Sequence, residues 1–167
     1  MSADRLLMVL RHAKASGVPG VNDRERELTA RGRRDAAAAG AWLLAEGLRP
    51  DHVVCSTAQR TKETWERVSA ALGAAGGQAE VSYDRRVYDA GAGDLLGIVT
   101  EQPSEASTVL LVGHNPASHQ LTVGLTGRSD LPFPTCALAV IRLPGGWDQA
   151  TAGEGELEHF WYPKQLD

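Results

Sequence analysis

Five consecutive apolar residues, Leu6-Leu7-Met8-Val9-Leu10, run directly into Arg11-His12. A run of that length is short for a helix and fits a strand buried on both faces, the kind that lies centrally in a parallel sheet. The charge that follows carries Arg11 and His12 out of the core at the carboxyl end of the strand, where open α/β sheets place their ligand crevice. An isolated Arg-His pair after a strand is ordinarily no more than a polar loop. A second run, Ser107-Thr108-Val109-Leu110-Leu111-Val112, leads into Gly113-His114-Asn115-Pro116 and repeats the arrangement. Histidines at equivalent ends of two central strands exceed what packing requires, so chemistry is expected there.

The chain has 167 residues, 43% of them hydrophobic. That is enough for a substantial core, and a single domain over residues 1–167 is expected. A formal charge of −4 argues against general nucleic-acid binding, which calls for a basic balance. Cys55 and Cys136 show neither Cys-x-x-Cys nor zinc-type spacing, and buried free thiols are expected. The apolar run after Asp4-Arg5 is too short for a signal-peptide core, and no later run is long enough to span a membrane. A reduced, cytoplasmic, monomeric protein is the expectation.

Beyond the first strand, Gly17 to Asn22 is turn-rich and predicts an exposed loop. Thr29 is placed to cap a helix over Ala30–Glu46, with Ala36, Trp42 and Leu43 facing inward, Gly47 as its stop, and Gly32 and Gly40 lowering its propensity. Asp51–Cys55 predicts a short strand. Ser56 or Thr57 then caps a helix to about Leu72, which sets Arg60 in its first or second turn. Ala79–Tyr83 predicts a weaker strand, and Asp84–Gly93 a loop carrying Arg85, Arg86, Tyr88 and Asp89. Asp94 is a candidate cap for a short helix through Val99. Pro116 suits the first position of a helix to about Leu125, and Thr135–Leu143 and Glu156–Tyr162 read as the last strands. Strands alternate with helices, which predicts an α/β, three-layer αβα sandwich with a mostly parallel central sheet.

Three strand-to-helix junctions therefore carry unusual polar residues: Arg11-His12, Ser56 to Arg60, and His114-Asn115. Two guanidiniums and two imidazoles converging on one point would attract an anion, and the arginine donor fork suits phosphate oxygens. The free N–H groups of the helix after His114 would add to that field. At these residues the chain resembles the histidine phosphatase superfamily, with the phosphoglycerate-mutase-like fold, whose signature is Arg-His-Gly at the end of the first strand. Here the signature reads Arg11-His12-Ala13. The second arginine matches Arg60 in Ser56-Thr57-Ala58-Gln59-Arg60, and the second histidine matches His114 in Val112-Gly113-His114-Asn115-Pro116. Arg26-Glu27-Leu28-Thr29-Ala30-Arg31-Gly32 is similar to the segment before the family's first long helix. The short chain and the Arg-His-Ala-Lys variant are most similar to the SixA branch of small phosphohistidine phosphatases.

The resemblance implies that His12 attacks phosphorus and carries a phosphohistidine intermediate that water later hydrolyses, with no metal or other cofactor. It implies that Arg11, Arg60 and His114 bind the phosphoryl oxygens, with Asn115 as a further phosphate-binding candidate and Ser56 as a possible orienting group. Asp89 is the candidate leaving-group acid. A phosphorylated imidazole leaves more readily than an alkoxide, so weak acid assistance would favour phosphohistidine over alcohol phosphates. The expected substrate is phosphohistidine in a partner protein. The alternatives are a small-metabolite phosphomonoesterase, which would make Asp89 essential, and a phosphate-binding module without catalysis. Ala13 would be strained if its position required a positive φ. His119, five residues after His114, invites a metal reading but lacks a third ligand at suitable spacing.

Overall fold

The computed structural model describes residues 4–164. Its strands are β1 (Arg5–Arg11), β2 (His52–Cys55), β3 (Glu80–Tyr83), β4 (Thr108–Gly113), β5 (Leu138–Leu143) and β6 (Glu156–Trp161). They form one sheet of order β3-β2-β4-β1-β5-β6. The first four run parallel to one another, whereas β5 is antiparallel to β1 and to β6. The reversal arises because residues 127–137 bring the chain back to the carboxyl end of β1, where the Arg11 N–H bonds the Ala137 carbonyl at 3.0 Å. The helices are α1 (Ala30–Ala45), α2 (Gln59–Leu72), the single turn α3 (Ala74–Gly77), α4 (Ala92–Thr100) and α5 (Ala117–Thr126).

The apolar run of β1 is buried on both faces. Met8 and Leu10 pack with Ala36 and Leu43 of α1 and Trp65 and Val68 of α2, while Leu7 and Val9 pack with Leu95 and Ile98 of α4 and Leu121 and Leu125 of α5. Successive side chains of a strand point to opposite faces, so this single strand fills both halves of an αβα sandwich. Each such leucine contributes about 1.5–3 kcal/mol by leaving water. Gly40 fits this packing: a Cβ there would lie 2.5 Å from the Val68 carbonyl oxygen, so the glycine lets α1 and α2 approach closely.

Thr29 caps α1 as expected, its Oγ1 accepting the Gly32 N–H at 3.0 Å. Other boundaries differ from the sequence reading. Ala58 occupies the N-cap of α2, because Ser56 Oγ is engaged nearby, accepting the Ala58 N–H at 3.2 Å and facing His114. Asp94 lies inside α4, where its carboxylate accepts the N–H of the capping Gly91 at 2.9 Å. Pro116 occupies the N-cap of α5 and follows a cis bond from Asn115. Trp42 is only half-buried, stacking on Trp161 at 6.2 Å between ring centroids.

Candidate active site

β1 and β4 are adjacent, with Arg11 opposite Gly113 in register, yet the chain leaves β1 for α1 on one face and β4 for α5 on the other. That divergence opens a crevice at their carboxyl ends, the switch point of an open α/β sheet. His12 stands there with its backbone held on both sides. Its N–H donates to the Gly113 carbonyl and its carbonyl accepts from the Cys136 N–H, both at 3.0 Å. Cys136 makes that bond from a left-handed conformation, φ 65°, which is uncommon for a residue with a Cβ.

The His12 ring is buried and lies 5.4 Å from the His114 ring, centroid to centroid. Nδ1 of His12 is 2.8 Å from the Ala13 carbonyl. A carbonyl only accepts, so Nδ1 carries the proton and Nε2 keeps its lone pair. Burial, aided by the positive charge of His114 when protonated and of Arg60 and Arg11, pulls the His12 pKa down to about 3. The imidazole is therefore neutral near pH 7. Burial and Arg60 similarly lower His114 to about 4.

Arg60, buried in the first turn of α2, reaches His114 Nδ1 with Nη2 at 3.4 Å. The same guanidinium donates from Nη1 to the Asp23 carbonyl at 2.7 Å and from Nη2 to Asp23 Oδ2 at 3.1 Å. Arg11, half-buried, donates from Nη1 to the Phe133 carbonyl at 3.1 Å, and its pKa is lowered by burial. The Nε atoms of Arg11 and Arg60 are enclosed, with no hydrogen-bond partner among the described residues. An unpaired enclosed donor costs about 1–3 kcal/mol. An anion with several oxygens would supply acceptors to this cationic, under-bonded set.

The model of the histidine phosphatase superfamily (branch 1) matches residues 7–108. The chain belongs to that superfamily. A structure of a candidate phosphohistidine phosphatase SixA from Nakamurella multipartitia is 34% identical, superimposes with a TM-score of 0.84, and is covered to 98% by 97% of this chain. Its Agrobacterium tumefaciens counterpart is 27% identical at a TM-score of 0.82, with 95% of this chain covering 98% of that one. An uncharacterized Mycobacterium tuberculosis protein is 33% identical over 165 residues, 93% of this chain and all of the relative. The fold is phosphoglycerate-mutase-like, the chain is SixA-like, and it is a phosphatase.

Within this histidine phosphatase the sequence-predicted residues fall into two groups. His12, Arg11, Arg60, His114 and Ser56 come together: His114 faces the His12 ring, meets Arg60 and lies 2.8 Å from Ser56 Oγ through Nε2, and the charge of Arg11 is felt by both histidines. Asn115 is beside them, but its Nδ2 is turned to the Phe133 carbonyl at 2.9 Å, where Arg11 also donates. Asp89 is exposed on the turn following the short 3-10 segment Arg85–Val87. Ala13 has no positive φ, is fully buried, and donates its N–H to Thr64 Oγ1 at 3.0 Å, so the residue in place of the family's glycine is unstrained. The Arg86 guanidinium is paired with Asp84 and Glu101.

Two residues at the site escaped the sequence reading. Asp23, in the 3-10 segment Asp23–Glu25, bonds Arg60, and Tyr88 donates its hydroxyl to the same Asp23 carboxylate while packing edge-on against His114 at 5.6 Å. Tyr88, Arg26 and Arg60 hold the Asp23 pKa down to about 2. The one available signal for Asp23 was its place just before the family-like segment starting at Arg26. His119 stacks on Phe133 at 5.4 Å, and among the described residues no group of three or more His, Cys, Asp or Glu is placed to hold a metal ion. Among the same residues no helix is long and apolar enough to cross a membrane.

Proposed function

We propose that this phosphatase removes the phosphoryl group from phosphohistidine in a partner protein, through a phosphohistidine intermediate on His12. The observation that carries the reading is the single hydrogen bond from His12 Nδ1 to the Ala13 carbonyl, which leaves a neutral Nε2 lone pair facing a cationic pocket. Nε2 attacks phosphorus as the bond from phosphorus to the substrate imidazole breaks, and the departing nitrogen takes up a proton from solvent. Water then attacks the phosphorus on His12, restoring the neutral ring and releasing phosphate. Arg11, Arg60 and His114 bind the equatorial oxygens, where the charge of the transferring group is spread. Asn115 joins them only if its amide leaves the Phe133 carbonyl.

The leaving group decides the substrate class. An imidazole nitrogen departs with a proton affinity near neutrality and asks little of an acid, whereas an alkoxide needs a strong donor. Asp89, exposed and on a turn, suits the first case better than the second. The SixA-named relatives support the same substrate class.

The test compares phosphate release from a phosphohistidine-bearing protein and from an aryl phosphate, without added metal, for the wild type, His12→Ala and Asp89→Asn. Expected are preference for phosphohistidine, a loss of about 10³-fold or more in His12→Ala, and less than about threefold loss in Asp89→Asn. A preference for the monoester with Asp89 essential would move the assignment to a metabolite phosphatase. Tight phosphate binding with no turnover on either substrate would leave only a binding module.

A further inference from the structure

The geometry points to Asp23 as an internal anion that occupies Arg60 donors a phosphoryl group would use and that substrate must displace. This rests on the pocket being the phosphoryl site proposed above. Arg60 is 7% exposed, and beside the approach of Nη2 to His114 its guanidinium bonds Asp23 twice, through the backbone carbonyl at 2.7 Å and Oδ2 at 3.1 Å. One carboxylate oxygen and one neutral peptide carbonyl thus stand on donors that could take the paired anionic oxygens of a phosphoryl group. The Tyr88 hydroxyl, beneath the Arg24 guanidinium at 4.6 Å from its ring, holds Asp23 from the other side.

Asp23 belongs to an exposed loop tied at its base. Its neck is closed by the antiparallel bridge of Ala15 with Leu28, by the Ser16 N–H on the Glu27 carbonyl at 2.8 Å, and by Arg26 Nε on the Ser16 carbonyl at 2.8 Å. Between those anchors the chain is exposed, Val18 at 58%, and no residue of Asp23–Glu25 is buried. The loop also borders an open groove of about 360 Å³ lined by Ser16, Val18, Val21, Glu25, Arg26 and Glu27. Polar contacts across the site, rather than a core, hold Asp23 on Arg60. A multiply charged phosphoryl group outcompetes one carboxylate, and a free phosphate left after turnover meets that carboxylate as a rival. Asp23 thereby sets how tightly the pocket holds bare anions.

Calorimetric titration with tungstate and with inorganic phosphate reads this directly, without turnover. Asp23→Asn removes the charge and keeps the backbone carbonyl on Arg60; both anions should then bind roughly five- to tenfold more tightly than to the wild type. Tyr88→Phe, which loosens the hold on Asp23, should tighten binding by about twofold. If Asp23 instead aligns Arg60 for substrate, Asp23→Asn will bind anions more weakly, and unchanged affinity is equally fatal to the competitor role. Those two results leave the phosphatase reading intact. Absence of anion binding in both proteins, together with turnover that survives His12→Ala, would remove the phosphoryl pocket itself.

Discussion

Ser56 Oγ lies 2.8 Å from His114 Nε2, and this contact fixes which way the second histidine faces. Arg60 Nη2, a donor only, approaches Nδ1 of the same ring at 3.4 Å, so in the neutral ring Nδ1 accepts and Nε2 donates to the serine. Ser56 is fully buried and its hydroxyl also receives the Ala58 N–H. Ser56→Ala should therefore lower kcat/KM by about tenfold while costing about 1–2 kcal/mol of stability. Steady-state kinetics together with urea unfolding would check it. Unchanged kinetics would show that His114 needs no such partner.

Since His114 is neutral near pH 7, with a pKa of about 4, it cannot offer Nδ1–H to a phosphoryl oxygen until it gains a proton. A bound dianion favours the charged ring and raises that pKa. Tungstate binding near pH 6.5 should accordingly be accompanied by proton uptake, measurable by calorimetry in buffers of different ionisation enthalpy. The uptake should be lost in His114→Gln. Zero uptake or proton release in the wild type would mean that His114 binds the anion without charging.

The same burial makes the fold sensitive to acid. His12 titrates at about 3 when folded against an ordinary 6.5, so below pH 6.5 the unfolded chain binds a proton that the folded one refuses. The contribution is complete above pH 6.5 and is lost as the pH falls toward 3. At pH 5 the loss is about 2 kcal/mol from His12 alone. Denaturant unfolding at pH 7 and pH 5 should show a smaller drop for His12→Asn than for the wild type. Equal drops would place the acid sensitivity elsewhere.

Gly32 stands in the first turn of α1, where a Cβ would come within 2.1 Å of the Lys14 carbonyl oxygen. That carbonyl also accepts the Thr29 N–H at 2.9 Å. Gly32→Ala must push α1 away from the segment that follows His12, and should cost about 2–4 kcal/mol despite alanine's better helix propensity. Thermal unfolding would measure it. A neutral or stabilising effect would show the contact to be soft.

How far the sequence reached is clearest at particular residues. β1, its Arg11-His12 terminus and the partner His114 were legible because a strand buried on both faces writes itself as a continuous apolar run and the switch-point rule fixes where its end goes. Thr29 follows from cap chemistry, and Arg60 from its match to the superfamily's second arginine. Ser56 reads from the sequence as a cap or as an orienting group, and the tertiary approach of β4 brings its hydroxyl to His114. Gly32 and Gly40 looked like weak points in a helix; the close backbones that need them belong to other segments. Asp23 and Tyr88 sit in polar turns, where no periodicity marks the partner, and they meet across 65 residues of chain.

The bridge between Ala15 and Leu28 separates two parts of the molecule that are under different demands. On one side, His12 is locked into the sheet by Gly113 and Cys136; on the other, the stretch from Gly17 to Glu25 hangs from a closed neck. Insertions, deletions or exchanges within that stretch end at the neck and leave the strand register alone. Evolution can thus rewrite what this enzyme admits, in length as well as in composition, while the nucleophile inherits an unchanged setting.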